Sequence, residues 1–165
     1  MIREILKLGD PQLYEVSEPV TAADLPLVGG WVEDLHDTLM EYRCVYGAGR
    51  AVAAPQIGIR KRLLYMYLDK PYVFINPVMI FPDEEMYELL DDCMSFPGLM
   101  VKVRRYRRAV IRYEDLQGER QEMALEGDLS ELLQHEYDHL DGILATMRAV
   151  DDKSLFLQQM TRSFD

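Results

Sequence analysis

The amino-acid sequence predicts an α+β fold with mainly antiparallel sheet, and three observations lead there. Helical periodicity appears at two places, separated by a long run of strand-like segments, so the βαβ alternation of a parallel sheet is missing. The 165 residues, 48% of them hydrophobic, suit one domain around a single core, residues 1–165. No repeat, low-complexity tract or flexible linker divides the chain.

DPQLYEVSEPV, with a proline near each end, reads as an irregular N-terminal segment. In LPLVGGWVEDLHDTLMEYRCVYG the apolar residues Trp31, Leu35, Leu39 and Tyr42 recur at helical spacing, which predicts a helix from about Gly30 to Arg43. RLLYMYLD and YVFINPVMIF are rich in β-branched and aromatic residues and read as strands interrupted at Pro71. EMYELLDDCMSFPG and VRRYRRAVIRYED read as two more, the second ending in a turn at LQGER. A second helix is expected from about Asp128 to Leu140.

Composition narrows the function. The net charge of −11 opposes general nucleic-acid binding. KVRRYRR, residues 102–108, is the local exception, and its five cations are expected to form a solvated strand face. No apolar run approaches the roughly 20 residues that cross a bilayer, and MIREILKLGDPQLYEV lacks a signal-peptide core. Two cysteines, Cys44 and Cys93, do not make a disulfide scaffold, so a cytoplasmic setting is expected. Cys44 reads as a small core residue.

The segment QHEYDHLDG contains HExxH and two of the chain's three histidines. On a helix, side chains four residues apart leave the same face, about 5–6 Å from each other. His135 and His139 can therefore reach one divalent ion, with Glu136 beside them to act as a base for water. A catalytic site needs a third ligand. After His139 the chain has no histidine, glutamate or cysteine. Its remaining carboxylates are Asp141, which turns to roughly the opposite side of the helix, and Asp151, Asp152 and Asp165 in a short polar tail. Upstream, Cys93 stands in DDCMSFPG, and a thiolate is a strong ligand for zinc or ferrous iron.

Three motifs in this order, GRAVAAPQIG from Gly49, DDCMS from Asp91 and QHEYDHLDG from Gln134, resemble those of the peptide deformylases. DPQLYEVSEPV and FINP at residues 74–77 add to the resemblance, which covers nearly the whole chain. It implies mainly antiparallel sheets packed around a central HExxH-bearing helix. It also implies a hydrolase that removes the formyl group from the N-terminal formyl-methionine of nascent polypeptides. By position, Cys93, His135 and His139 would bind one metal ion, usually ferrous iron in the cell, with zinc or nickel as alternatives. Glu136 would carry the proton, and Gln56 with the backbone N–H of Met94 would hold the formyl oxygen. Arg50, Ala51, Leu89 and Asp92 would line the substrate site. The partners implied are N-formylated peptides and nascent chains, met by a monomer with no membrane or nucleic-acid partner. In the tail DDKSLFLQQMTRSFD, Lys153 and Arg162 stand among Asp151, Asp152 and Asp165. Any ribosome encounter is therefore expected to be transient, without a basic C-terminal docking helix.

Departures from the family pattern cluster on the substrate side. Arg50 and Ala51 replace a hydrophobic residue and a glycine. Asp91 and Asp92 replace glutamate and glycine, and Met100 stands where many members have an arginine, with Lys102 or Arg104 as candidate substitutes. Asp128, Glu131 and Leu132 precede His135 by seven, four and three residues, on the ligand face. Asp128 and Glu131 also read as a capping box, with Asp128 as N-cap and Glu131 reaching back. Two alternatives follow: a hydrolase with an altered formylated or acylated substrate, and an idle homologue that binds metal or peptide without turnover.

Overall fold

The computed structural model describes residues 1–158. Its first helix, α1 (Leu25–Tyr46), starts five residues before the Gly30 predicted from sequence and ends at Gly47, whose φ of +69° closes the last turn. Pro26 sits in the first turn, where its missing N–H costs nothing. Gly29 and Gly30 are accommodated inside the helix. The predicted apolar stripe is real: Leu35 and Leu39 are fully buried, and Trp31 and Tyr42 pack at its margins.

Strands β1 (Ala51–Ala53), β2 (Leu63–Tyr67), β3 (Pro71–Ile80), β6 (Arg108–Glu114) and β7 (Arg120–Glu126) form one sheet in the order β1-β2-β3-β6-β7. A second sheet has the order β4-β5-β8, from β4 (Met86–Asp91), β5 (Leu99–Tyr106) and β8 (Leu155–Leu157). All of their pairings are antiparallel. The second helix, α2 (Asp128–Leu140), packs against β1, β5 and β7 and so lies between the two sheets.

β2 reads as an unbroken apolar run because both its faces are covered. Leu63 and Tyr65 enter the core on the α1 side, and Leu64 and Met66 enter the core on the α2 side. β1 alternates the same way, with Val52 toward α1 and Ala51 and Ala53 toward α2. A third cluster, around Cys93, Phe96, Val101, Val103 and Ala145, fills the space behind the smaller sheet.

Several expectations are corrected. VRRYRRAVIRYED is two strands in different sheets, broken at Arg107, whose N–H donates to Glu85 O and whose carbonyl accepts from Gly127 N. β1, β7 and β8 are additional; β7 buries Leu125 alone, which leaves little apolar pattern to read. Part of the expected polar tail is β8, paired with β5 through Leu99–Leu157 and Val101–Leu155. Arg162 and Asp165 lie outside the described residues. Cys44 is exposed, not a core residue. Among the described residues no helix is long and apolar enough to cross a membrane.

The FINP segment has a definite task. Asn76 takes φ of +49°, a conformation asparagine tolerates, at the irregularity between Ile75 and Val78. Its side chain accepts from Val20 N at 2.8 Å and donates to Val20 O at 2.9 Å, which pins the N-terminal segment to β3.

Candidate metal centre

α2 carries the HExxH, and its placement starts with Gln134. That side chain accepts from Tyr106 N at 3.0 Å and donates to Tyr106 O at 2.7 Å, anchoring the helix to the end of β5. At the other end Gly142 takes φ of +72°, and a Cβ there would lie 2.4 Å from Tyr14 O. The glycine of QHEYDHLDG thus lets the N-terminal segment cross the end of α2, where Ser17 N donates to Leu140 O at 2.8 Å.

Cys93, His135 and His139 meet in the interior. Their ligand atoms all lie within 4.8 Å of one another, and all three residues are buried. Cys93 Sγ is 3.4 Å from His139 Nε2. His135 Nδ1 is 2.8 Å from Asp91 Oδ2, so with the ring proton on Nδ1 its Nε2 faces the cluster. Cys93 follows β4 in a turn, where Ser95 N–H points at its sulfur at 3.4 Å and Phe96 N donates to Cys93 O. Asp141, the nearest downstream carboxylate, instead pairs with Arg62 at 3.0 Å.

Electrostatics separates the two imidazoles. Burial pulls both toward the neutral form. At His135 the charges of Asp91 and Cys93 overcome that and hold its pKa well above the ordinary histidine value. At His139 burial and the neighbouring His135 act together and push it well below, so it is neutral and free to ligate. Burial raises the Glu136 carboxyl to about 7, with His135 partly opposing and Asp91 and Glu131 reinforcing. Among the described residues its buried Oε2 has no partner, as expected of a group meant to work on water or substrate. One thiolate and two imidazoles around a small volume, with a partnerless carboxylate beside them, fit a divalent zinc or iron ion.

Gln56 reaches the cluster from the short helical turn Ala54–Ile57 that follows β1. Its Oε1 accepts from Ala53 N at 2.9 Å, which aims Nε2 at Ser95 Oγ (3.1 Å) and Cys93 Sγ (3.5 Å). Behind the cluster, Arg105 bridges Asp91 (3.0 Å) and Asp138 (2.6 Å), and Arg148 also holds Asp138. Arg105 is 2% exposed, so KVRRYRR is not simply a solvated face. It lies in phase with buried Val101 and Val103, and strand alternation was the signal that could have identified it. The role of Asp91 as the partner of His135 was likewise missed, because its carboxylate position looked like a departure.

A cleft of about 420 Å³ opens onto the cluster, between the edge strand β1 and the end of the edge strand β4. Arg50, Ala51, Asp92, Met94 and Glu136 line it. Leu89 does not: it packs into the third core cluster, and its neighbour Leu90 faces the cleft. Lys102 and Arg104 do not line it either: Lys102 lies in a separate depression with Glu88 and Phe156, and Arg104 is held by Glu88. Ala51 sits in ordinary strand backbone, so alanine is tolerated there. Gly49, in contrast, has φ of +122°, and a Cβ would meet the Tyr42 ring at 3.1 Å. The capping box is absent. Gly127 is the N-cap, Asp128 is exposed inside the first turn, and Glu131 turns into the cleft to pair with Arg50 at 3.1 Å.

The family model for polypeptide deformylase matches residues 2–154. The chain belongs to this family. The peptide deformylase of Dictyoglomus turgidum is 36% identical over 156 residues, covering 94% of this chain and 97% of the relative. The crystal structure of peptide deformylase from Thermotoga maritima superposes with a TM-score of 0.82 at 34% identity, covering 92% of this chain and 99% of that one. A class I type b peptide deformylase from Acinetobacter baumannii bound to Met-Ala-Ser gives 0.81 at 28% identity, covering 90% and 98%. Family membership and topology agree, since the deformylase fold is an α+β arrangement of antiparallel sheets.

Proposed function

We propose that this protein removes the formyl group from the N-terminus of formylated peptides, formyl-methionine of nascent polypeptides included. The carrying observation is the buried Cys93, His135 and His139 cluster, with Glu136 beside it at the cleft and Gln56 Nε2 3.5 Å from Cys93 Sγ. In this reading those three residues hold one divalent ion, ferrous iron in the cell. When bound, the ion supplies Lewis acidity that activates water and polarises the formyl carbonyl.

The residues around it perform the rest. Glu136 accepts a proton from the attacking water. Its raised pKa, about 7, lets it take that proton and release it near neutrality. The C–N bond then breaks, formate departs, and the proton passes from Glu136 to the leaving amine. Gln56 Nε2 and the Met94 N–H donate to the formyl oxygen as it gains negative charge. Asp91 accepts the Nδ1 proton of His135 and so orients the ring with Nε2 toward the ion. The open edges of β1 and β4 suit an extended peptide, which would add main-chain hydrogen bonds to one or both. The relative bound to Met-Ala-Ser supports a peptide as the ligand. The proposal extends to a cytoplasmic monomer that meets nascent chains only transiently.

The test is formate release from formyl-Met-Ala-Ser by protein prepared without oxygen and loaded with ferrous iron, nickel or zinc. Turnover is expected and should vanish in Glu136→Ala with metal content unchanged. Metal-loaded protein that releases no formate from any formyl peptide would overturn the reading and favour the idle homologue.

A further inference from the structure

The cleft contains a charged pair that the hydrolysis itself does not use. Glu131 precedes His135 by one helical turn on the same face of α2, so its Cβ lies about 5–6 Å from that of a metal-site histidine. Its side chain is only 11% exposed, and Arg50 reaches it from the entrance to β1, 3.1 Å away and 43% exposed. The pair therefore joins the two walls of the cleft, and both residues line the same space as Cys93, His135 and Glu136.

Stability does not explain it. Desolvating a carboxylate for a single ion-pair contact is often no better than apolar packing between the same elements. Helix capping does not explain it either, because the N-cap is Gly127 and the carboxylate is turned away from the helix start. A donor and an acceptor are instead presented side by side, one helical turn from the reacting centre. That is the range of the first side chain of a peptide whose formyl group lies at the metal cluster.

We infer that Arg50 and Glu131 set specificity for the first side chain of the substrate, selecting a primary amide, as in glutamine, over the thioether of methionine. The inference rests on the deformylase reading and refines its substrate. A thioether laid against the pair removes water from both charges and returns no hydrogen bond, which leaves both groups unpaired. A cationic side chain meets Arg50, and an anionic one meets Glu131. A primary amide accepts from the guanidinium and donates to the carboxylate at once. Glutamine is unbranched and close to methionine in length, so it needs no larger cleft. Formyl-methionine peptides remain substrates, with lower kcat/KM.

The experiment compares kcat/KM for formyl-Xaa-Ala-Ser with Xaa as Gln, Met, Glu and Lys, using ferrous-loaded protein without oxygen. Calorimetric binding of Gln-Ala-Ser and Met-Ala-Ser gives a second readout. The wild type should favour Gln over Met by roughly 10-fold in both, the discrimination expected of one or two unpaired polar groups. Arg50→Ile, at a half-exposed position, and the double variant with Glu131→Ile should shift the ratio toward Met. Fastest release from the Met, Glu or Lys peptide would overturn the inference and leave the deformylase reading standing. An unchanged Gln-to-Met ratio in the folded variants would do the same. Formate from none of the peptides would overturn both.

Discussion

Replacing Arg105 with methionine tests the buried charge network that supports the metal centre. Arg105 is 2% exposed and is the cation between Asp91 at 3.0 Å and Asp138 at 2.6 Å. Breaking a buried pair by removing one partner typically costs about 3–5 kcal/mol, because a charge is left without compensation. Here Asp138 keeps Arg148 and Asp91 keeps His135, so the lower end, about 3 kcal/mol, is expected. In a domain of this size that lowers Tm by roughly 6–12 °C. The effect also depends on pH. Burial alone would raise the Asp91 carboxyl, yet His135 and Arg105 together bring it down to about 2 from 3.8. A depressed carboxylate contributes stability that is present above its unfolded pKa, near 4, and lost as pH falls through its folded value. Without Arg105 the folded pKa rises and that contribution shrinks. The gap between wild type and Arg105→Met should therefore be full at pH 7 and narrow between about pH 4 and 2. Urea unfolding of the metal-free proteins at pH 7, 5 and 3 measures it. Arg105→Lys should recover part of the loss, since an ammonium lacks the fork that spans two carboxylates. A cost below about 1 kcal/mol at pH 7, or a gap as wide at pH 3, would show that Arg105 does not serve as the counter-charge.

Other positions give independent checks. Gly142→Ala places a Cβ 2.4 Å from Tyr14 O in a backbone with φ of +72°, so a loss of more than about 2 kcal/mol is expected in equilibrium unfolding. Asn76→Ala removes both hydrogen bonds to Val20 from a left-handed residue, for about 2–3 kcal/mol, and proteolysis should then cut the N-terminal segment sooner. Gln56→Leu removes the donor beside Cys93; kcat should fall about 100- to 1000-fold with bound metal retained. Normal kcat in that variant would exclude Gln56 from the oxyanion role.

The parts of this site that were legible in the sequence are those set by short-range geometry. His135 and His139 follow from helical spacing alone, since four residues bring two side chains to one face wherever the helix lies, and Glu136 follows from the HExxH pattern. The stripe on α1 was readable for the same reason. Arg105 was half legible, sharing the alternation of Val101 and Val103, but its charge argued for the surface until Asp91 and Asp138 were placed against it. Leu89 and Leu90 show how little separates two assignments. They are consecutive on one strand, so the choice between core and cleft depends on which face meets solvent.

The sequence by itself determined the fold class, the local ligand pair and, through its three motifs, the family resemblance. These rest on periodicity, residue chemistry and chain order, which need no third dimension. Only the tertiary structure brought together residues distant in sequence. It placed Cys93 against His139 across 46 positions and Asp91 against His135 across 44, and it divided one apparent strand between two sheets at Arg107. It also turned Glu131 from an apparent helix cap into the partner of Arg50, 81 positions away. Capping is a local competition that a sequence displays. A carboxylate buried across a cleft depends on what the opposite wall carries, and packing alone decides that.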